Sequence, residues 1–215
     1  MDFEQDLKID GDSETAWTLL LAHGAGQGMD SLFMTGIAEA VVAAGIRVVR
    51  FNFPYMLKIL ESGKKSPPDR EPLLRAAFQQ AIHELEAAGT ERKRLVIGGK
   101  SMGGRMASLI ADEQQIAGLL CLGYPFHPPG RPERLRTAHL QEIRTPTLIC
   151  QGERDPFGRR EEVEAYQLSS AVLIHWITDG EHSFKPRKAS GLTQAENLGT
   201  AAVAAAEFIA GLEKN

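Results

Sequence analysis

A serine, an aspartate and a histidine stand in this chain where a hydroxyl could be turned into a nucleophile. Gly99-Lys100-Ser101-Met102-Gly103 has the spacing G-x-S-x-G. That spacing puts a serine on a tight strand-to-helix turn, its side chain held clear of the sheet, with small residues where strand and helix backbones nearly touch. The start of a helix behind Ser101 adds backbone N–H groups and the positive end of a dipole, which suit a developing oxyanion. A serine hydroxyl is a poor nucleophile near neutral pH and needs a base, itself oriented by an acid. Asp155, in Gly152-Glu153-Arg154-Asp155-Pro156, and His182, in Gly180-Glu181-His182-Ser183, follow Ser101 in the chain order Ser, Asp, His. Glu153 and Asp179 are stand-in acids close by in sequence.

These residues need elements to hold them. Residues 94–97 read as a short buried strand, and 102–111 as a helix with Met102, Met106, Leu109 and Ile110 on one face. Further strands are expected at 16–22, 46–51, 118–122, 146–151 and 172–177, with a possible edge strand in 1–13. Helices are expected at 31–44, 159–167 and from Pro72 to Gly89, where Leu74, Ala77, Phe78, Ala81, Ile82 and Leu85 have amphipathic spacing. Thr193-x-x-Glu196 is a capping box that opens a last helix toward Leu212. Residues 52–71 and 123–144 read as irregular connections. Strands alternating with helices imply an α/β fold: a mainly parallel sheet of about six to seven strands with helices on both faces. No repeat, linker or low-complexity tract divides the chain, so one domain is expected over 1–215. In such sheets ligands bind beyond the carboxyl ends of the strands, and Ser101, Asp155 and His182 all fall just after predicted strands.

The segment His23-Gly24-Ala25-Gly26-Gln27-Gly28 follows another strand. A dinucleotide fingerprint would need a third glycine where Met29 stands. A phosphate-binding P-loop ending in Gly99-Lys100-Ser101 would need a glycine where Arg94 stands. The better reading of 23–28 is a loop that brings a backbone N–H to the substrate oxygen, so the oxyanion donors are assigned to Ala25 and Met102, with His23 stabilising the loop. Two aromatic–proline clusters, Phe53-Pro54-Tyr55 and Tyr124-Pro125-Phe126, follow strands, and Tyr55, Tyr124, Phe126 and His127 are expected to touch substrate. Lys100, Arg154 and Lys185 flank the same rim, where an acidic substituent on the substrate could be accommodated, but solvated surface is the expected role of each. His83 and His175 read as structural and His139 as a solvated loop residue.

The chain has 215 residues, 43% of them hydrophobic, and a net charge of −4. That charge gives nucleic acid no electrostatic footprint. No run of about 18 apolar residues is present to span a membrane, and the acidic start Met1-Asp2-Phe3-Glu4 is unlike a signal peptide. Cys121 and Cys150 lie in apolar runs and read as buried free thiols, so a cytoplasmic protein is expected. No metal-ligand spacing and no cofactor motif is found.

The elbow, the His23-Gly24 loop, the turn at Asp155 and the final His182 together resemble the α/β-hydrolase superfamily over residues 16–213. More narrowly, the pattern is similar to a small cap-less branch that includes bacterial dienelactone-hydrolase-like proteins and animal testis-expressed relatives. The resemblance implies the α/β-hydrolase fold without a cap domain, and a serine hydrolase whose triad is Ser101, Asp155 and His182. Ser101 stands where dienelactone hydrolases proper carry cysteine, so that particular activity is not implied. The expected substrate is a small ester or thioester. The reading from another class is a non-catalytic binding module on the same fold.

Overall fold

Leucine and β-branched runs bounded by glycine set the architecture. A computed structural model of the chain describes residues 7–214. Seven strands form one sheet in the order β1-β3-β2-β4-β5-β6-β7. They are β1 (Leu7–Asp10), β2 (Thr18–Ala22), β3 (Arg47–Phe51), β4 (Leu95–Lys100), β5 (Gly118–Leu122), β6 (Thr147–Gly152) and β7 (Val172–Ile177). Only β1 runs antiparallel, paired with β3 at the edge; the rest are parallel. This is the α/β-hydrolase sheet. Among the described residues no cap domain stands over it, and the β5–β6 connection holds only a helical turn at Ala138–Gln141.

Strand alternation feeds two cores, one on each face. Leu20, Val49, Ile97, Leu119 and Ile149 point to a face covered by α3 (Glu71–Ala87) and α4 (Met102–Ser108). Leu19, Leu21, Val48, Val96 and Leu120 point to the other, covered by α1 (Leu32–Ala43) and α7 (Gln194–Gly211). Each leucine removed from water contributes roughly 1.5–3 kcal/mol, so a shift of one residue in β2 or β4 would misplace every side chain on both faces. The α7 start is fixed as its sequence demands. Thr193 Oγ1 accepts from the Glu196 N–H at 3.2 Å, and Glu196 Oε2 accepts from the Thr193 N–H at 2.7 Å.

Three expectations need correction. Residues 52–71 are not wholly irregular, because Pro54–Ser62 forms α2. Pro54 presets the first-turn φ, and Gly63 ends the helix in the left-handed region at φ 68°, its N–H donating to the Ile59 carbonyl. The helix expected over 102–111 ends at Ser108, and a separate turn, α5 (Ala111–Gln114), follows. The 159–167 helix shortens to α6 (Arg160–Val163), since Ala165 and Tyr166 bond back only three residues. Of the 1–13 expectation, Leu7–Asp10 is strand and residues 1–6 lie outside the described residues. No described helix is long and apolar enough to cross a membrane.

Candidate active site

The winding of the sheet reverses between β2 and β4, and an open parallel sheet leaves a crevice at that point, beyond the carboxyl ends. The 23–28 loop after β2 and the turn after β4 face one another there. Between them opens a cleft of about 360 Å³, lined by Gly24, Ala25, Gly26 and Gln27 on one side and by Lys100, Ser101, Phe157 and His182 on the other, with Phe33 and Met34 of α1 and its N-cap Ser31 at one end.

Ser101 sits at φ 51°, ψ −111°. A non-glycine residue there costs on the order of 1–3 kcal/mol and persists only where its surroundings fix it. Two bonds do so: its N–H donates to the Leu122 carbonyl at 3.0 Å, and its carbonyl accepts the Arg105 N–H at 3.0 Å. A Cβ on Gly99 or Gly103 would collide with the Ala22 carbonyl, which is why both flanking positions are bare.

His182 Nε2 lies 2.9 Å from Ser101 Oγ, and His182 Nδ1 lies 2.8 Å from Asp155 Oδ2. A carboxylate only accepts, so these partners put the ring proton on Nδ1 and leave the Nε2 lone pair for the Ser101 hydroxyl. Asp155 is fully buried. Its Oδ1 accepts the Phe157 N–H at 2.9 Å, and its Oδ2 also accepts Gln151 Nε2–H at 3.1 Å. The Phe157 ring packs against His182 with centroids 4.2 Å apart. The two stand-in acids are engaged elsewhere. Glu153 accepts the Asp179 N–H at 2.9 Å and pairs with Arg160 at 3.0 Å. Asp179 accepts the N–H and Nε–H of Arg187, which hold its carboxyl below the ordinary range, and pairs with Arg154. Both therefore brace the loop that carries His182.

The 23–28 loop is clamped from behind. His23 Nε2 accepts the Phe53 N–H at 3.1 Å, so Nδ1 carries the proton and donates to the Gly24 carbonyl at 2.7 Å. Burial drives the His23 pKa down to about 4, partly opposed by that carbonyl; the ring is neutral at pH 7 and both nitrogens are occupied. The Tyr55 hydroxyl donates to the Ala25 carbonyl at 2.9 Å and reaches the Gly24 carbonyl at 3.3 Å. Because a trans peptide is planar, fixing the Gly24 carbonyl turns the Ala25 N–H the opposite way. The Met102 N–H is the first of α4 and has no intrahelical acceptor.

The four residues expected to contact substrate do not line this cleft. Tyr55 lies beneath the 24–25 peptides as just described, 1% exposed. Gly123, at φ 65°, turns the chain after β5 toward the α3/α4 core. There Tyr124 and Phe126 pack on one another at 4.9 Å, and the Tyr124 hydroxyl donates to the Arg136 carbonyl at 3.0 Å. His127 is buried, its ring nitrogens 2.9 Å from the Pro128 carbonyl and 3.4 Å from Glu162. The aromatic–proline clusters plug the sheet ends. His139 is not solvated either: it bonds Ser108 Oγ at 2.8 Å, and burial, then Arg105, lowers its pKa to about 4.

Lys100, expected at the solvated rim, is only 7% exposed and lines the cleft. Its Nζ donates to the His182 carbonyl at 2.6 Å. Burial lowers its pKa to about 8 against the pull of Asp155 and Glu181. Gln151 was missed as well; besides Asp155 it accepts the Tyr124 N–H at 2.7 Å and donates to the Gly158 carbonyl at 3.1 Å. Both residues share a readable signal: each is a lone polar side chain at the carboxyl end of an apolar strand run. Among the described residues no three His, Cys, Asp or Glu side chains converge as metal ligands.

Comparison with known proteins adds context to this geometry. A family model described as "Alpha/beta hydrolase domain" matches residues 15–210. ABHD14B of Rattus norvegicus, named as a candidate protein-lysine deacylase, is 26% identical over 160 residues, 74% of this chain and 71% of that protein. An alpha-beta serine hydrolase homologue from Coxiella burnetii superposes with a TM-score of 0.71 at 22% identity, over 92% of this chain and 89% of the other. XC6422 from Xanthomonas campestris, described as a serine hydrolase without lid, gives 0.67 at 19% identity, over 91% and 85%. At these identities the two structures speak to the fold.

Proposed function

The chain belongs to the alpha/beta-hydrolase family, and on that premise we propose that it is a serine hydrolase cleaving a small ester or thioester through an acyl-enzyme. One observation carries the reading: the hydrogen-bond chain from Ser101 Oγ through His182 to buried Asp155, 2.9 and 2.8 Å long, hung on a serine in strained backbone. Ser101 attacks the acyl carbon while His182 Nε2 takes its proton, a step that general-base catalysis accelerates by about 10²–10⁴. Asp155 holds the ring in the accepting tautomer and balances the imidazolium charge. The tetrahedral oxyanion faces the N–H groups of Ala25 and Met102, each contributing on the order of 10²–10³ where such donors are preorganised. His182 then gives its proton to the departing oxygen or sulfur, leaving the acyl group on Ser101. Water, deprotonated by the same histidine, releases the acid and restores the enzyme. We read the whole as one domain, acting on small molecules in the cytoplasm.

Hydrolysis of an acyl-lysine amide is a second reading, favoured by the likeness to ABHD14B. The test is turnover of 4-nitrophenyl butyrate, a butyryl thioester and an Nε-butyryl-lysine peptide by wild type and by Ser101→Ala. Turnover of the ester or thioester that vanishes in the variant is expected. Activity that survives in Ser101→Ala contradicts the mechanism. Inertness of the folded wild type toward all three would favour the non-catalytic binding module.

A further inference from the structure

Strand alternation turns the Lys100 side chain toward the α1/α7 face, into the wall of the cleft beside Ser101. The ammonium lies against two other cleft-lining groups: it donates to the His182 carbonyl and stands 5.2 Å from the centroid of the Phe33 ring. It carries three donors and spends one on a protein acceptor. Asp155 and Glu181 act on it only through space. A neutral donor would suffice to hold a backbone carbonyl, whereas a buried ammonium with no carboxylate partner is costly. No residue lining the cleft is acidic. The N-cap Ser31 and first-turn residues Phe33 and Met34 of the twelve-residue α1 share the wall, so the positive end of that helix dipole adds to the same field.

We propose that Lys100 is the anchor of an anion subsite, and that the substrate carries a carboxylate within reach of the bond that Ser101 cleaves. Nζ bonds the backbone end of His182 and Ser101 Oγ bonds its ring end. One histidine's length therefore separates anchor from nucleophile, a span that a short linear or aromatic acid covers. The proposal rests on the serine-hydrolase reading and makes it narrower, to half-esters and half-thioesters of short dicarboxylic acids or esters of small hydroxy acids.

The experiment uses two matched ester pairs that differ by one carboxylate. In mono-4-nitrophenyl adipate against 4-nitrophenyl hexanoate the charge is on the acyl side; in 4-carboxyphenyl butyrate against phenyl butyrate it is on the leaving group. Wild type is expected to favour the anionic member of at least one pair in kcat/KM by about 10-fold or more. Lys100→Met, checked for native circular dichroism and thermal midpoint, should lower that ratio on the order of 10- to 100-fold, the range of a lost hydrogen bond to a charged group. Calorimetric binding of adipate itself needs no turnover and should weaken at least tenfold in the variant. A wild-type ratio at or below one in both pairs overturns the proposal whatever the variant does. Equal loss on both members of each pair also overturns it, because Lys100 would then only position His182. Failure of the wider reading has a different signature: no ester is turned over, while adipate binding still reports on the subsite.

Discussion

Replacing Asp155 by asparagine tests the acid at its one critical atom. In the native site Oδ1 accepts the Phe157 N–H and Oδ2 accepts from both His182 Nδ1 and Gln151 Nε2. An asparagine keeps its oxygen toward Phe157, since the flipped amide would set donor against donor there. The NH2 then replaces Oδ2 and meets two donors. His182 answers by presenting a bare Nδ1, which moves the ring proton to Nε2, and Nε2 can no longer accept from Ser101. The expected loss in kcat for Asp155→Asn is on the order of 10³–10⁴, the effect of a wrong tautomer in a triad, or about 4–5.5 kcal/mol of barrier. Gln151 keeps the Gly158 and Tyr124 carbonyls as acceptors for its two Nε2 hydrogens, so only its contact to position 155 is lost and stability should fall by about 1 kcal/mol. Steady-state kinetics on 4-nitrophenyl butyrate and a urea titration read the two effects separately. Glu153→Gln, which alters a loop brace, should cost less than about tenfold in kcat. If Asp155→Asn kept activity within tenfold of wild type, or if the Glu153 variant lost as much, the assignment of Asp155 would be refuted.

Tyr55→Phe removes the hydroxyl that clamps the Gly24 and Ala25 carbonyls. It should cost about 1 kcal/mol in stability and lower kcat roughly tenfold with little change in KM, because a loosened oxyanion donor weakens the transition state more than the ground state; a rise in KM at constant kcat would speak against the clamp. Acid should destabilise the fold through His23. Its native pKa of about 4 lies below the ordinary 6.5, so between these values the unfolded chain binds a proton that the native chain refuses. Stability is therefore full above pH 6.5 and falls by about 3 kcal/mol as pH drops toward 4. Urea midpoints for wild type and His23→Gln across that range check this, and an equal slope in both proteins would clear His23.

Much of the scaffold was legible because burial on two faces writes long apolar runs into parallel strands. The 118–122 and 172–177 strands have the bounds that their composition suggests, and the Thr193–Glu196 box marks the start of α7 to the residue. Ser101, Asp155 and His182 could be picked out because each falls in a loop after a strand, in one order, and those loops open on the same end of the sheet. What sequence could not supply was direction. Whether Tyr124 and Phe126 turn into the cleft or under the sheet depends on the left-handed Gly123 and the space above α3 and α4, neither of which is local. The nine-residue α2 buries only Pro54, Tyr55 and Met56, too few for a helical stripe to stand out. Lysine is so rarely buried that Lys100 reads as surface until its neighbours are known.

Intact-mass spectrometry with a fluorophosphonate probe reads whether Ser101 is an activated nucleophile. The probe bonds covalently to a serine only where base and oxyanion donors have activated it. One adduct per chain is expected, mapped by peptide sequencing to Ser101 and absent from Ser101→Ala. Labelling should be strongly slowed in Asp155→Asn, while His23→Gln should still label. A folded wild-type protein that takes up no probe, or that takes it up at a residue other than Ser101, would contradict an activated Ser101.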